Sequence, residues 1–109
     1  MQELEHVFRV EEEKRKDDLL AVLSDRYCRA IIDSLVFKPK SAMDIAVETG
    51  IPISTVYRRI QTLYEAKLLG TSGTITDDGK KLFLYKSKIK GIKSTFHAGN
   101  VQVELIANK

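Results

Sequence analysis

The chain has 109 residues, 43% hydrophobic and 30% charged, which suits one compact domain with a core and is short for two. No apolar run approaches the ~18–20 residues of a membrane helix, and the opening MQELEHVFRVEEEKRKDD lacks the hydrophobic stretch of a signal peptide. The net charge is +3 and Cys28 is the single cysteine, which excludes an internal disulfide and a four-cysteine zinc site; a cytoplasmic protein is expected.

The charge is unevenly spread. Residues 1–50 hold 8 Lys/Arg and 11 Asp/Glu, a net of −3, whereas residues 51–109 hold 10 and 4, a net of +6. From Lys80 to Lys93 there are six lysines and no acid. Such asymmetry fits a polyanion partner. It fits equally well the ordinary solvation of exposed strands, where lysines also discourage edge pairing.

In chain order, Leu4, Val7 and Phe8 followed by Leu19, Leu20 and Leu23 predict a helix over residues 3–23. The charged EEEKRKDD between them suits an exposed face with acids three or four residues before bases. A second helix is expected over Arg26–Phe37. Asp25 is its N-cap, Tyr27, Ala30, Ile31, Ser34 and Leu35 form the inward stripe, and Lys38-Pro39-Lys40 ends it. A short third helix fits Ala42–Thr49, opened by Ser41-x-x-Asp44 and closed by Gly50. A fourth runs from Ile53 to about Ala66, with Pro52 at its entry.

After Leu69 the pattern becomes strand-like. Asp78-Gly79 is a turn signal between Thr74-Ile75-Thr76 and Leu82–Tyr85. A second hairpin is expected from Ile92–Phe96, a turn at Ala98-Gly99-Asn100, and Val101–Leu105. There Val101, Val103 and Leu105 share one face, with Gln102 and Glu104 on the other. Helices followed by strands predict an α+β fold.

The segment SAMDIAVETGIPISTVYRRIQTLYEAKLL resembles the helix-turn-helix of winged-helix transcription regulators. The positions that carry the likeness are Ala46, Gly50, Ile51, Val56, Ile60 and Leu63. Ala46 is small where two helices cross, Gly50 makes the turn, and the rest pack the second helix on the first. Upstream, LLAVLSDRYCRAIIDSL is similar to the helix that precedes this unit in the ArsR-like group. Downstream, LYEAKLLGTSGTITDDGKKLFLY looks like the end of a recognition helix and a two-stranded wing. The likeness covers residues 19–87. It implies an archaeal or bacterial regulator that binds double-stranded DNA as a homodimer. It implies one domain over residues 1–109: the N-terminal helix in 1–23, the helix-turn-helix in 41–66, the wing in 69–87 and an extra C-terminal hairpin in 88–109. The N-terminal helix is the first candidate for the dimer contact, and the C-terminal hairpin the second.

A helical wheel locates the DNA-facing side without the family. With Val56 at 0° and about 100° per residue, Ile60 and Leu63 fall within about 40° of it. Arg58, Ser54, Gln61 and Thr62 point away, Thr55 and Tyr57 lie on the flanks, and Arg59 sits at the core edge. In a major groove Arg can bind guanine and Gln adenine in bidentate fashion. Arg58 and Gln61 are therefore the expected base readers. Ser54, Thr55, Tyr57 and Arg59 are the expected phosphate contacts. In the wing, Asp77 and Asp78 at the tip disfavour deep insertion into a minor groove, while Lys80 and Lys81 suit phosphates.

Other chemistries find little footing. His6, His97 and Cys28 are scattered, and the first motif helix lacks the cysteines of metal-sensing ArsR-like proteins. No metal and no cofactor are expected. A redox role for Cys28 would need an electropositive, partly exposed setting; Arg26 and Arg29 nearby keep it open. DDGKKL lacks the glycine spacing of a phosphate loop, so an enzyme is not expected. Two other readings stand beside the regulator: a winged-helix protein-interaction module, and a nonspecific nucleic-acid-binding protein.

Overall fold

The computed structural model describes residues 5–108. A short strand β1 (Val7–Val10) leads into four helices, α1 (Glu13–Ser24), α2 (Arg26–Ser34), α3 (Ala42–Thr49) and α4 (Ile53–Glu65). Four strands follow: β2 (Leu69–Ile75), β3 (Lys81–Ser87), β4 (Ile89–His97) and β5 (Asn100–Ala107). The class is α+β, as the pattern of helices then strands predicts.

The amino-terminal expectation needs correction. The one helix expected over residues 3–23 is a strand and a shorter helix, and Leu4 lies outside the described residues. Val7 and Val10 satisfy helical spacing, but Phe8 and Val10 equally satisfy a period of two. What decides is their partner, since β1 pairs antiparallel with β5 (Val7 with Ile106, Val10 with Val103). Glu12, with extended backbone, separates strand from helix. Leu19 and Val22 of α1 are buried in the chain's own core. Of the residues expected to serve a dimer contact, Leu19 is buried and Leu20 packs on the same core, whereas Val7 and Phe8 stay 41% and 58% exposed.

α2 ends at Ser34, earlier than expected, because the chain beyond it is held by strand contacts. Leu35 is fully buried, and its carbonyl accepts from Ser87 N at 3.0 Å. Lys40 and Tyr85 exchange both backbone hydrogen bonds, at 3.0 and 2.8 Å. The Asn108 side-chain amide donates to the Val36 and Ser87 carbonyls at 2.7 and 3.0 Å.

α3 has its expected bounds. Ser41 Oγ accepts from Asp44 N at 3.1 Å, and Gly50 at the C-terminal end has φ 75°, a left-handed conformation that favours glycine. α4 ends one residue short of Ala66, in a turn where Lys67 N donates to Tyr64 O at 2.9 Å and Leu68 N to Leu63 O at 3.0 Å. This is a Schellman closure, with Lys67 at φ 62° in the left-handed position.

β2 and β3 form the wing, in register from Leu69 with Ser87 to Ile75 with Lys81. β4 and β5 form the second hairpin. Its two-residue turn is Ala98-Gly99, with φ 50° and 78°, and His97 pairs with Asn100. That is the positive-φ pair which hairpin twist requires. β1 completes a three-stranded sheet in the order β1-β5-β4. Val10, Ile89, Val103 and Leu105 of that sheet join Leu19, Val22, Ile31, Ile45, Val56, Ile60 and Leu63 of the helices, and Leu35 just after α2, in one buried cluster.

Candidate nucleic-acid interface

The apolar stripe of α4 is fully used by the core: Val56 and Leu63 are 0% exposed and Ile60 is 5% exposed. A rigid helix with one side sealed must turn its other side outward. Ser54, Tyr57, Arg58, Gln61 and Thr62 are exposed and Thr55 is half-buried, as the wheel predicts. Arg58 makes no ion pair among the described residues; its Nη2 lies 3.4 Å from Thr55 Oγ1, one turn back on the same surface. The Thr62 hydroxyl donates to the Arg58 carbonyl at 3.2 Å. Gln61 is engaged: its Nε2 donates to Glu65 Oε1 at 2.8 Å. To reach a base edge, Gln61 must give up that bond.

Arg59 lies elsewhere than the expected phosphate contacts. Its Nε sits 2.7 Å from Asp25 Oδ2, with both side chains about 70% covered, and its guanidinium carbon is 5.7 Å from the centre of the Tyr27 ring. The Nε–H is buried without an aligned hydrogen-bond acceptor, so the link to Asp25 is a close charge contact more than a directed hydrogen bond. Asp25 meanwhile caps α2, accepting from Tyr27 N at 2.8 Å and Cys28 N at 3.3 Å. Burial raises the Asp25 carboxyl pKa, but those two amides and Arg59 together outweigh it and leave the carboxyl below its ordinary 3.8. One carboxylate therefore joins the start of α2 to the middle of α4. The wheel places Arg59 at the core edge, and there it pairs with Asp25 instead of extending with the expected phosphate contacts.

Cys28 is buried in the same region. Burial first, and the Asp25 charge second, push its thiol up to about 11 against a smaller opposing pull from Arg59. The thiol is protonated at neutral pH and shielded, the opposite of the setting a redox switch requires.

In the wing, Lys80 and Lys81 are both exposed. Lys80 Nζ is 4.0 Å from Asp78 Oδ2. Asp78 is held below its ordinary value chiefly by the Thr76 hydroxyl, so the acid at the tip stays charged. Lys81 Nζ lies 5.0 Å from the centre of the Phe83 ring. At the wing root, burial raises the Tyr85 phenol pKa and the Tyr57 phenol adds to it. Among the described residues, no three His, Cys, Asp or Glu side chains are grouped to hold a metal ion, and no helix is long and apolar enough to cross a membrane.

No protein-family model matches the chain, and no curated protein does. Solved structures do. The chain is similar to the crystal structure of NolR from Sinorhizobium fredii, with a TM-score of 0.56 and 20% identity over 83% of this chain and 84% of that one. It is also similar to a protein of Methanosarcina mazei Go1 described as a possible transcriptional regulator, with a TM-score of 0.56 and 18% identity over 76% of each chain. At these identities the likeness is one of fold: the chain has a winged helix-turn-helix architecture.

Proposed function

We propose that the chain is a sequence-specific, DNA-binding transcription regulator of the ArsR-like kind, acting in the cytoplasm as a homodimer. α4 enters the major groove. Arg58 and Gln61 read base edges, and Ser54, Thr55, Tyr57 and Thr62, with Lys80 and Lys81 of the wing, contact phosphates. Arg59 holds α4 against α2 through Asp25. Two copies supply two recognition helices for half-sites about one DNA turn (~34 Å) apart.

The observation that carries this reading is the division of α4: a fully buried aliphatic side and, opposite it, an exposed Arg58 with no carboxylate partner among the described residues. A guanidinium left free on the outer side of a short, well-packed helix after a glycine turn matches the geometry of groove reading. The likeness in fold to a possible transcriptional regulator supports it.

The test is selection from random duplex DNA at moderate salt. The expected outcome is an enriched two-part motif. Arg58→Ala should then relax preference at one base position in each half-site, with a loss of ~1–3 kcal/mol of discrimination there. Lys81→Ala should weaken all sequences alike and lower the salt slope by about one. A library that emerges unenriched overturns the sequence-specific reading.

A further inference from the structure

The side of the wing that seals the core does not end where the core ends. Strand alternation puts Leu69, Thr71, Gly73 and Ile75 of β2 on one face with Lys81, Phe83, Tyr85 and Ser87 of β3. At the root Leu69 and Ser87 are buried, and Tyr85 packs on the core. Further out the same face continues as Phe83, 51% exposed, and Ile75, 75% exposed. An apolar stripe thus runs from the core into solvent.

Two details give this stripe a chemistry. Gly73 stands directly across from Phe83, so no side chain opposes the ring on the neighbouring strand. The space is taken by the Lys81 stem, whose Cε would lie 3.3 Å from a Cβ at Gly73, and the Lys81 ammonium rests near the Phe83 ring. That stem is long and flexible, so it can swing away and leave the ring open. None of the outer side chains on this face is acidic.

We propose that this face of the wing, with Phe83 at its centre, stacks an unpaired DNA base while Lys81 moves from the ring to the adjoining phosphate, so that the protein prefers a duplex with locally separated strands. The proposal rests on the DNA-binding reading above. A face that carries an aromatic ring, a lysine beside it and no acid complements a base-bearing phosphodiester chain. Phe83 stands in the middle of a strand, not at a protruding tip. It is therefore badly placed to wedge between paired bases and well placed to receive a base already splayed out, as aromatic rings on open sheets do.

The chain has no tryptophan, so Phe83→Trp in the whole 109-residue chain gives a single reporter at the site. It is titrated with three probes: a paired duplex, the same duplex carrying a short mismatched bubble, and one of its single strands. The expected result is saturable tryptophan quenching by the bubble and the single strand but little by the paired duplex. Phe83→Ala and Phe83→Leu, each checked for folding by circular dichroism, should both lose about ten-fold in bubble affinity and keep paired-duplex affinity. Phe83→Tyr should retain both. Equal binding of bubble and paired duplex, or quenching by the paired duplex alone, overturns the inference and leaves the regulator reading standing. Failure to bind any of the three DNAs overturns both. If Phe83→Ala instead changes the oligomeric state of the free protein in sedimentation, the face joins copies of the chain and the stacking role is overturned.

Discussion

Asp25 does two jobs with its two oxygens. Oδ1 accepts from the first-turn amides of α2, and Oδ2 meets Arg59 of α4. Removing the side chain with Asp25→Ala deletes the cap and leaves Arg59 without its partner, a loss of about 1–2 kcal/mol. Asn is as good a cap as Asp, so Asp25→Asn isolates the charge. The folded carboxyl lies below its ordinary 3.8, so in acid the folded state binds fewer protons at this site than the unfolded state. The stability it contributes is complete above that ordinary value and is lost as pH falls through the lower folded one. Urea denaturation of both proteins between about pH 5 and pH 2 should therefore show the parent losing its advantage over Asp25→Asn as acid is added. If their stability curves run parallel throughout that range, the ion pair contributes nothing.

Gly50 and Lys67 show how a helix end does and does not announce itself. Both occupy the left-handed region, at φ 75° and 62°. Only glycine does so without crowding its own Cβ, so the end of α3 is readable in the sequence and the end of α4 is blurred by a residue. A Cβ added at Gly50 would touch nothing within 4 Å, so the expected cost of Gly50→Ala is in the backbone alone, roughly 1–2 kcal/mol. Gly50→Asn should cost less, since asparagine tolerates this conformation. Thermal unfolding of the two variants measures the difference; an alanine variant as stable as the parent would show that the turn does not require a positive φ. The same logic explains the rest of what was legible. The bounds of α3, the buried stripe of α4 and the Ala98-Gly99 turn all rest on signals lying within a few residues of each other. Pairing of β1 with β5 and of Asp25 with Arg59 is decided by partners far along the chain. Val7 and Phe8 therefore read as helix, and Arg59 read as a DNA contact.

Closing the two ends of the chain together has a consequence for how the molecule comes apart. β1 is only four residues long, and a lone strand of that length gains little from its own hydrogen bonds. It holds because β5 lies between it and β4 and because Val10, Val103 and Leu105 pack into the cluster built by α1 and α2. If the sheet were an appendage, weakening it would leave the helix-turn-helix untouched. Because the buried cluster is continuous, the sheet and the helices should unfold as one cooperative unit. Leu105→Ala, remote from α4 in sequence and buried in the sheet, should lower global stability by ~2–5 kcal/mol. It should also lower amide-exchange protection in α2 and α4 by a matching amount. Exchange that accelerates only in β1, β4 and β5 would instead divide the molecule into two independent units. In the cooperative case the sheet acts at a distance on the proposed DNA interface: it keeps α1 and α2 packed, and α2 holds Arg59 of α4 through Asp25.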